Sequence, residues 1–318
     1  MLSIPGRYIG DSWYYVNDSV AHCYFLTSPE SIHPDDRWFH WEIGHAVSDD
    51  LINWKYVGLA LEKGTNSDWD SQNLATGSVI KRAGLYWMAY TAQRIGEEPK
   101  IWRIGMAVSD NLYDWTKLRE NPVTEPDEMV YEWISSGTRK RGNWNDPFMY
   151  EFGGPVYQFF CARKKSDDPN ARGTIGLAVS NDMITWDIKN PIEVDPVAEE
   201  LEVPQIYEFN GLYYLVFCTV PFLLLKDFKE KFPEHDFYSA DFSMVSSSPF
   251  GPFRMHGTGE IVPKSAPEIP YASQLIQWEG NWFLIGTVKW NDAKGESSRY
   301  ICDPIPISVD ETGIHAVV

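Results

Sequence analysis

Gly44-His45-Ala46-Val47-Ser48-Asp49-Asp50-Leu51-Ile52-Asn53-Trp54 decides the fold, because the stretch returns. The second copy is Gly105-Met106-Ala107-Val108-Ser109-Asp110-Asn111-Leu112-Tyr113-Asp114-Trp115. The third is Gly176-Leu177-Ala178-Val179-Ser180-Asn181-Asp182-Met183-Ile184-Thr185-Trp186. In each, Ser follows Ala by two residues and Trp follows it by eight. A degenerate fourth copy runs from Met244-Val245-Ser246 to Phe253. The tryptophans lie 61 and 71 residues apart, and Phe253 follows 67 later.

Five aromatic runs interleave with these blocks: His22–Leu26, Leu85–Tyr90, Val156–Cys161, Leu212–Cys218 and Trp282–Gly286. Most follow a turn signal, such as Ala83-Gly84, Asn210-Gly211 or Glu279-Gly280-Asn281. Each run reads as the second strand of a hairpin. The Ala-Val-Ser block reads as a third strand, with a polar turn and an outer strand beginning near the Trp. Five units of about 64 residues, each a four-stranded meander, predict an all-β chain folded as a single five-bladed β-propeller over residues 1–318. A β-sandwich with a second domain gives no reason for that period. The best helical segment is 223–232, stopped by Pro233.

Composition narrows the function. Aromatic residues make up 15% of the 318, a level that suits strands and sugar-lined clefts. Acidic residues outnumber basic ones by 45 to 27, a net charge of −18. Nucleic acid and anionic membranes both need a basic face and are poor partners for it. The amino terminus lacks a charged and then apolar leader, and no apolar run approaches the ~20 residues of a membrane span. Cys23, Cys161, Cys218 and Cys302 form no Cys-x-x-Cys pair, and three sit in strand-like aromatic runs. They read as buried free thiols in a cytoplasmic protein.

The repeat also locates the innermost strand of each blade. Eleven residues before Trp87, Tyr157, Tyr213 and Trp282 lie Thr76, Asp146, Glu202 and Tyr271. Asp11 lies eleven before His22 and thirteen before Tyr24. Inner strands converge on the axis, so these five side chains are expected to ring one end of the channel. Three carboxylates there repel one another and raise each other's pKa, a cost typical of functional sites. Hard-metal binding is one use, but no Asp-x-Asp-x-Asp-Gly spacing is present. Glycoside hydrolysis is the other, with one charged carboxylate beneath the anomeric carbon and one protonated beside the leaving oxygen. No zinc spacing, Gly-rich phosphate loop or Ser/His/Asp signature stands out, and no metal or cofactor is expected.

These residues resemble the five-bladed propeller glycoside hydrolases, most closely family 32, whose sister families 43, 62 and 68 share the fold. The resemblance spans about Gly10 to Trp290. Trp41-Glu42-Ile43-Gly44-His45-Ala46 through Trp54 resembles the family's Trp-Gly-His-Ala-x-Ser-x-Asp-Leu-x-x-Trp segment with two residues inserted. Asn145-Asp146-Pro147 resembles Arg-Asp-Pro, and Glu202-Val203-Pro204-Gln205 resembles Glu-Cys-Pro-Asp. Tyr271-Ala272-Ser273 and Thr76-Gly77-Ser78 are similar to the family's Tyr-Ala-Ser and Ser-Gly-Ser elements. The chain departs at Gly10-Asp11-Ser12-Trp13, which keeps only the Asp of Asn-Asp-Pro-Asn-Gly. It departs again at Asn145, Val203 and Gln205, and no C-terminal β-sandwich is expected.

The resemblance implies a retaining hydrolase of fructofuranosides in short oligosaccharides. Asp11 would be the nucleophile, Glu202 the acid/base, and Asp146 the binder of sugar hydroxyls whose charge keeps Glu202 protonated. An inverting arabinofuranosidase or xylosidase of the family 43 type, and a non-catalytic sugar-binding propeller, remain open alternatives. Trp41, His45, Thr76, Asn145 and Tyr271 are the expected substrate contacts. Trp38, Phe39, His40 and Trp41 form either an aromatic wall for sugar or blade core. His45 stands where later copies have Met106 and Leu177, which points it toward the channel. The 126–144 loop, with Trp133, Arg139, Lys140 and Arg141, reads as a specificity loop or a long solvated connection.

Overall fold

Aromatic and β-branched residues fill the strands, and the Ser-x-Asx-Leu-x-x-Trp block turns the chain between them. In the computed structural model, which describes residues 1–33, 36–288 and 300–318, twenty strands form five four-stranded antiparallel sheets. Blade 1 holds β1 (Arg7–Asn17), β2 (Val20–Pro29), β3 (Glu42–Ser48) and β4 (Lys55–Leu61). Blade 2 holds β5 (Asn73–Arg82), β6 (Leu85–Gln93), β7 (Arg103–Ser109) and β8 (Thr116–Lys117). Blade 3 holds β9 (Trp144–Glu151), β10 (Val156–Arg163), β11 (Gly173–Ser180) and β12 (Asp187–Ile192). Blade 4 holds β13 (Glu202–Phe209), β14 (Leu212–Thr219), β15 (Ala240–Ser246) and β16 (Arg254–Glu260). Blade 5 holds β17 (Pro270–Trp278), β18 (Asn281–Val288), β19 (Ile305–Asp310) and β20 (Gly313–Ala316).

The first strands β1, β5, β9, β13 and β17 touch in cyclic order, which closes the ring. Leu2 helps close it by exchanging both backbone hydrogen bonds with Ile301, at 3.0 Å each. The expected five-bladed propeller is therefore the fold. Trp290, where the resemblance ends, lies outside the described residues.

The repeated block is a self-contained turn. Asp50 Oδ1 accepts the N–H groups of Ile52 and Asn53 at 2.9 and 2.7 Å, and Ser48 Oγ accepts that of Asp50. Leu51 is then left-handed at φ 62°, and the Trp54 indole donates to its carbonyl at 2.9 Å. Blades 2 and 3 repeat this with Leu112 and Trp115, and with Met183 and Trp186. The local hydrogen bonds explain the residue spacing.

The helix expected over 223–232 shrinks to α1 (Lys226–Lys229). Leu224 and Leu225 are buried in the blade 3–4 core, Leu223 packs with Val203, Cys218 and Tyr271, and Leu225 N–H bonds Val197 O. Tertiary docking holds Leu224 against Ala198 and Leu223 in a turn onto Val220, against local helix preference.

Candidate active site

All five inner strands break register at one level: between Ile9 and Ser12, Ala75 and Gly77, Asn145 and Phe148, Glu202 and Gln205, and Tyr271 and Gln274. Such bulges re-aim side chains. Asp11, Thr76, Asp146, Glu202 and Tyr271 stand at these breaks, and all five line one cavity of about 470 Å³.

The five are not at one strictly equivalent position. In blades 3 to 5 the bulge turns on a left-handed residue: Asp146 (φ 59°), Val203 (φ 51°) and Ala272 (φ 54°). Glu202 and Tyr271 therefore correspond to Asn145, and Asp146 corresponds to Val203. The offset from the anchors varies because Cys161 lies four residues after Tyr157, whereas Cys218 lies five after Tyr213. A β-branched residue at φ 51° is strained. Val203 holds it while its N–H donates to Asp146 Oδ2 at 3.1 Å. At Gly77, beside Thr76, an added Cβ would meet Ala89 O at 2.0 Å, so only glycine fits.

Each carboxylate has its own surroundings. Asp11 is half-buried, and Oδ2 accepts the Thr76 hydroxyl at 3.0 Å. Asp146 is 8% exposed; Oδ2 accepts Asn145 Nδ2 at 2.7 Å, and its N–H bonds Thr91 Oγ1. Burial, then the charges of Glu202 and Asp11, push its carboxyl up to about 7, against the Val203 and Asn145 donors. Glu202 accepts Arg139 and Arg141 on Oε1 at 2.5 and 3.0 Å, and the Tyr271 phenol on Oε2 at 3.0 Å. Both guanidiniums also hold buried Glu200 at 2.8 Å. Arg139 and Arg141 stand against Glu202, while Glu202 and Asp11 are the charges that help raise Asp146.

Trp41, Thr76, Asn145 and Tyr271 line the cavity as expected, and so does Phe39 of the proposed aromatic wall. Trp41 is also core, 2% exposed among the blade 1–2 aromatics. The Trp38 side chain lies outside the described residues. Asn145 Oδ1 is buried without a hydrogen-bond partner, an acceptor on the cavity wall. The 126–144 loop delivers Arg139, Lys140 and Arg141 to the cavity, while Trp133 instead stacks with Arg103.

His45 is a correction. It is buried in β3, hydrogen-bonded to His22 at 3.0 Å and stacked on Tyr24, and does not line the cavity. A polar residue unlike its repeat partners serves interblade packing here, against Tyr113 of blade 2. Residues missed from the sequence are Gln93, Glu98, Lys100, Trp102 and Glu200. The first four line the cavity and Glu200 anchors the arginines. Their positions depend on loop paths that no repeat marks.

A sequence model of the glycosyl hydrolases family 32 N-terminal domain matches residues 13–238. The chain belongs to glycoside hydrolase family 32. The match begins two residues after Asp11 and ends before Tyr271, so those two stand on geometry. One relative, the sucrose-6-phosphate hydrolase of Lactococcus lactis subsp. lactis, is 26% identical over 178 residues, 55% of this chain and 34% of that protein. The fructan 1-exohydrolase of Leymus chinensis is 39% identical over 89 residues, 27% of this chain and 14% of that protein. The chain thus matches well under half the length of these relatives. Among solved structures, the inulosucrase of Halalkalicoccus jeotgali bound to kestose has a TM-score of 0.78 at 20% identity, covering 98% of this chain and 87% of that one. The family 32 β-fructofuranosidase of Bombyx mori has a TM-score of 0.72 at 17% identity, covering 99% and 65%. Both likenesses concern the fold.

Proposed function

We propose that this family 32 chain hydrolyses β-fructofuranosyl bonds in short oligosaccharides, with retention, in the cytoplasm. The observation that carries the reading is the meeting of Asp11, Asp146 and Glu202 in one cavity of a family 32 propeller. A volume of about 470 Å³ suits a small ligand. The four cysteines, all buried and unpaired, suit a reducing compartment.

The chemistry follows from the surroundings. The Asp11 carboxylate, steadied by Thr76, forms a bond to the anomeric carbon as the glycosidic C–O bond breaks. The Glu202 proton passes to the leaving oxygen. In the second half Glu202 takes a proton from water, whose oxygen displaces Asp11 and restores both groups. Asp146, rigid between the Val203 N–H and Asn145, binds sugar hydroxyls.

A second reading concerns the substituent. Lys100, Arg139 and Lys140 line the cavity of a chain whose net charge is −18. Lys140 on that wall, with the similarity to a sucrose-6-phosphate hydrolase, supports a fructoside carrying a phosphate. The test incubates the protein with sucrose, kestose, sucrose 6-phosphate and an aryl arabinofuranoside, and identifies released sugars. Fructose release is expected, fastest from the phosphorylated sugar if the cations bind it. Arabinose release alone, or binding without turnover, overturns the reading.

A further inference from the structure

One register position recurs on the second strand of every blade, opposite the last inner-strand residue before the break. It holds Thr27, Thr91, Cys161, Cys218 and Thr287, paired with Ile9, Ala75, Asn145, Glu202 and Tyr271. All five are buried. The breaks take Gly10, Asp11, Thr76 and Asp146 out of the regular ladder, so their backbone groups need partners beyond it. Two of the threonines supply such partners, and each reaches across to the next blade.

The Thr91 hydroxyl donates to Thr76 O at 3.0 Å and accepts the Asp146 N–H at 2.8 Å, which ties β5 to β9. The Thr287 hydroxyl donates to Gly10 O at 2.6 Å, which ties blade 5 to β1. In both cases the group held belongs to the peptide unit that leads into a carboxylate's own Cα, Asn145–Asp146 and Gly10–Asp11. Blades 3 and 4 carry a thiol at this position, a weak donor, and there a carboxylate makes the link. Asp146 Oδ2 accepts the Val203 N–H at 3.1 Å. Asp241, opposite Cys218 on β15, accepts the Ser273 N–H at 3.2 Å and the Ser273 hydroxyl at 2.6 Å. Thr27 donates within its own blade, to Tyr8 O, and blades 1 and 2 are joined by the Thr76 hydroxyl on Asp11. Every junction of the ring is thus bonded at the level of the breaks.

We propose that Thr91 and Thr287 are positioning residues of this hydrolase: from the neighbouring blade, Thr91 fixes the main chain that aims Asp146, and Thr287 fixes the main chain that aims Asp11. The proposal rests on the roles given to Asp11 and Asp146 above. Packing alone does not call for a hydroxyl at either place, since valine has the same shape. What the hydroxyl adds is direction, because a hydrogen bond sets the separation between one blade and the bulge of the next. That separation matters to rate, as a reacting group displaced by about 1 Å can cost roughly 100-fold. Asp11 and Asp146 approach the cavity from blades 1 and 3, so their relative placement depends on such links between blades.

The experiment compares wild type with Thr91→Val and Thr287→Val, which exchange the hydroxyl for a methyl group, and with Thr91→Ser and Thr287→Ser, which keep it. Thr287→Val is expected to lower kcat on fructosides by about 10- to 100-fold with KM within about two-fold, because Asp11 acts in the bond-forming step. Thr91→Val is expected to lower kcat/KM by a similar factor with KM raised, because Asp146 also binds the sugar before reaction. The serine variants should recover most of each loss. Folded valine variants within about three-fold of wild type overturn the proposal. Serine variants as slow as the valine ones overturn it too, since shape and not the hydroxyl would then be at issue. The 13C signals of the two carboxyls, assigned with Asp11→Asn and Asp146→Asn, give a readout without turnover. Thr287→Val should shift the Asp11 signal and Thr91→Val the Asp146 signal, with serine returning each, and unmoved signals overturn the proposal. If a valine variant does not fold, cysteine, which blades 3 and 4 accept at this position, takes its place and is read in the same way. A wild type that turns over no fructoside overturns the functional reading instead, and the carboxyl signals still decide the positioning.

Discussion

Asp11 and Glu202 face the same cavity from blades 1 and 4, and their surroundings differ in kind. On the Asp11 side a threonine hydroxyl donates to Oδ2, and Trp41 and Phe39 line the same cavity. The Glu202 side holds two guanidiniums, a phenol and a second buried carboxylate. A nucleophile has to be ionised, and a neutral donor such as the Thr76 hydroxyl leaves its charge in place. An acid/base has to gain and lose a proton in each cycle, and a group of charges provides a means of shifting it. The difference is in keeping with the roles proposed for the two residues.

The assignment breaks most visibly at Asp11. Asp11→Asn keeps the Thr76 hydrogen bond and the bulge, and should lower kcat by roughly 10⁴-fold or more on every fructoside. Circular dichroism and Tm should stay those of the wild type. Activity within 100-fold of the wild type would end the nucleophile assignment (measured as initial rates of fructose release). Glu202→Gln should be graded instead. The loss should be about 10²–10⁴-fold on sucrose-type bonds and small on an activated aryl fructoside, whose leaving group needs no proton. Equal losses on both would show that Glu202 is not the acid.

The same contrast explains what the sequence could reveal. The Ser-x-Asx-Leu/Met-x-x-Trp turn is closed by its own hydrogen bonds, so its spacing survives in blades 1 to 3 and betrays the propeller. Asp11, Asp146 and Glu202 are found because bulges recur at one level, though counting from Tyr157 cannot see that the bulge shifts by one residue. Arg139 and Arg141 were marked only as part of the 126–144 loop, and their pairing with Glu200 was not legible, because nothing repeats there. Lys100 and Trp102 reach the cavity from the segment before β7 for the same reason. His45 misled because a break in a repeat marks any special contact, and here the contact is another histidine.

Asp146 sharpens the comparison through stability. Its carboxyl sits at about 7 in the folded chain, against 3.8 for the free group. The folded state then holds a proton that the unfolded state has lost between those values. Stability from this group accordingly falls as pH rises from about 4 to 7, by at most about 4 kcal/mol at ~1.4 kcal/mol per unit. Asp146→Asn keeps an acceptor for the Val203 and Asn145 donors and removes the titration. Its Tm relative to wild type should rise across that window by several degrees, while activity falls. A flat difference curve would show that Asp146 is ionised throughout.

The smallest expected effect belongs to the histidine pair, and its sign is opposite. Burial lowers His22 to about 4, and burial with the charge of His22 lowers His45 to about 3, from 6.5. Here the unfolded chain binds the extra proton, so stability is lost as pH falls from about 6.5 toward 4 and 3. This runs against the Asp146 trend in the same window, so the wild-type Tm conceals both. His45→Leu supplies the residue that blade 3 uses at the same place, Leu177. It leaves His22 Nδ1 without its partner and should cost about 1–3 kcal/mol near neutral pH. The loss should shrink as pH falls, because one titrating site has gone. Fructoside kcat/KM should stay within about two-fold, the scatter of a substitution away from the site. A large kcat/KM loss with an unchanged pH–Tm slope would return His45 to the cavity, where the sequence had placed it.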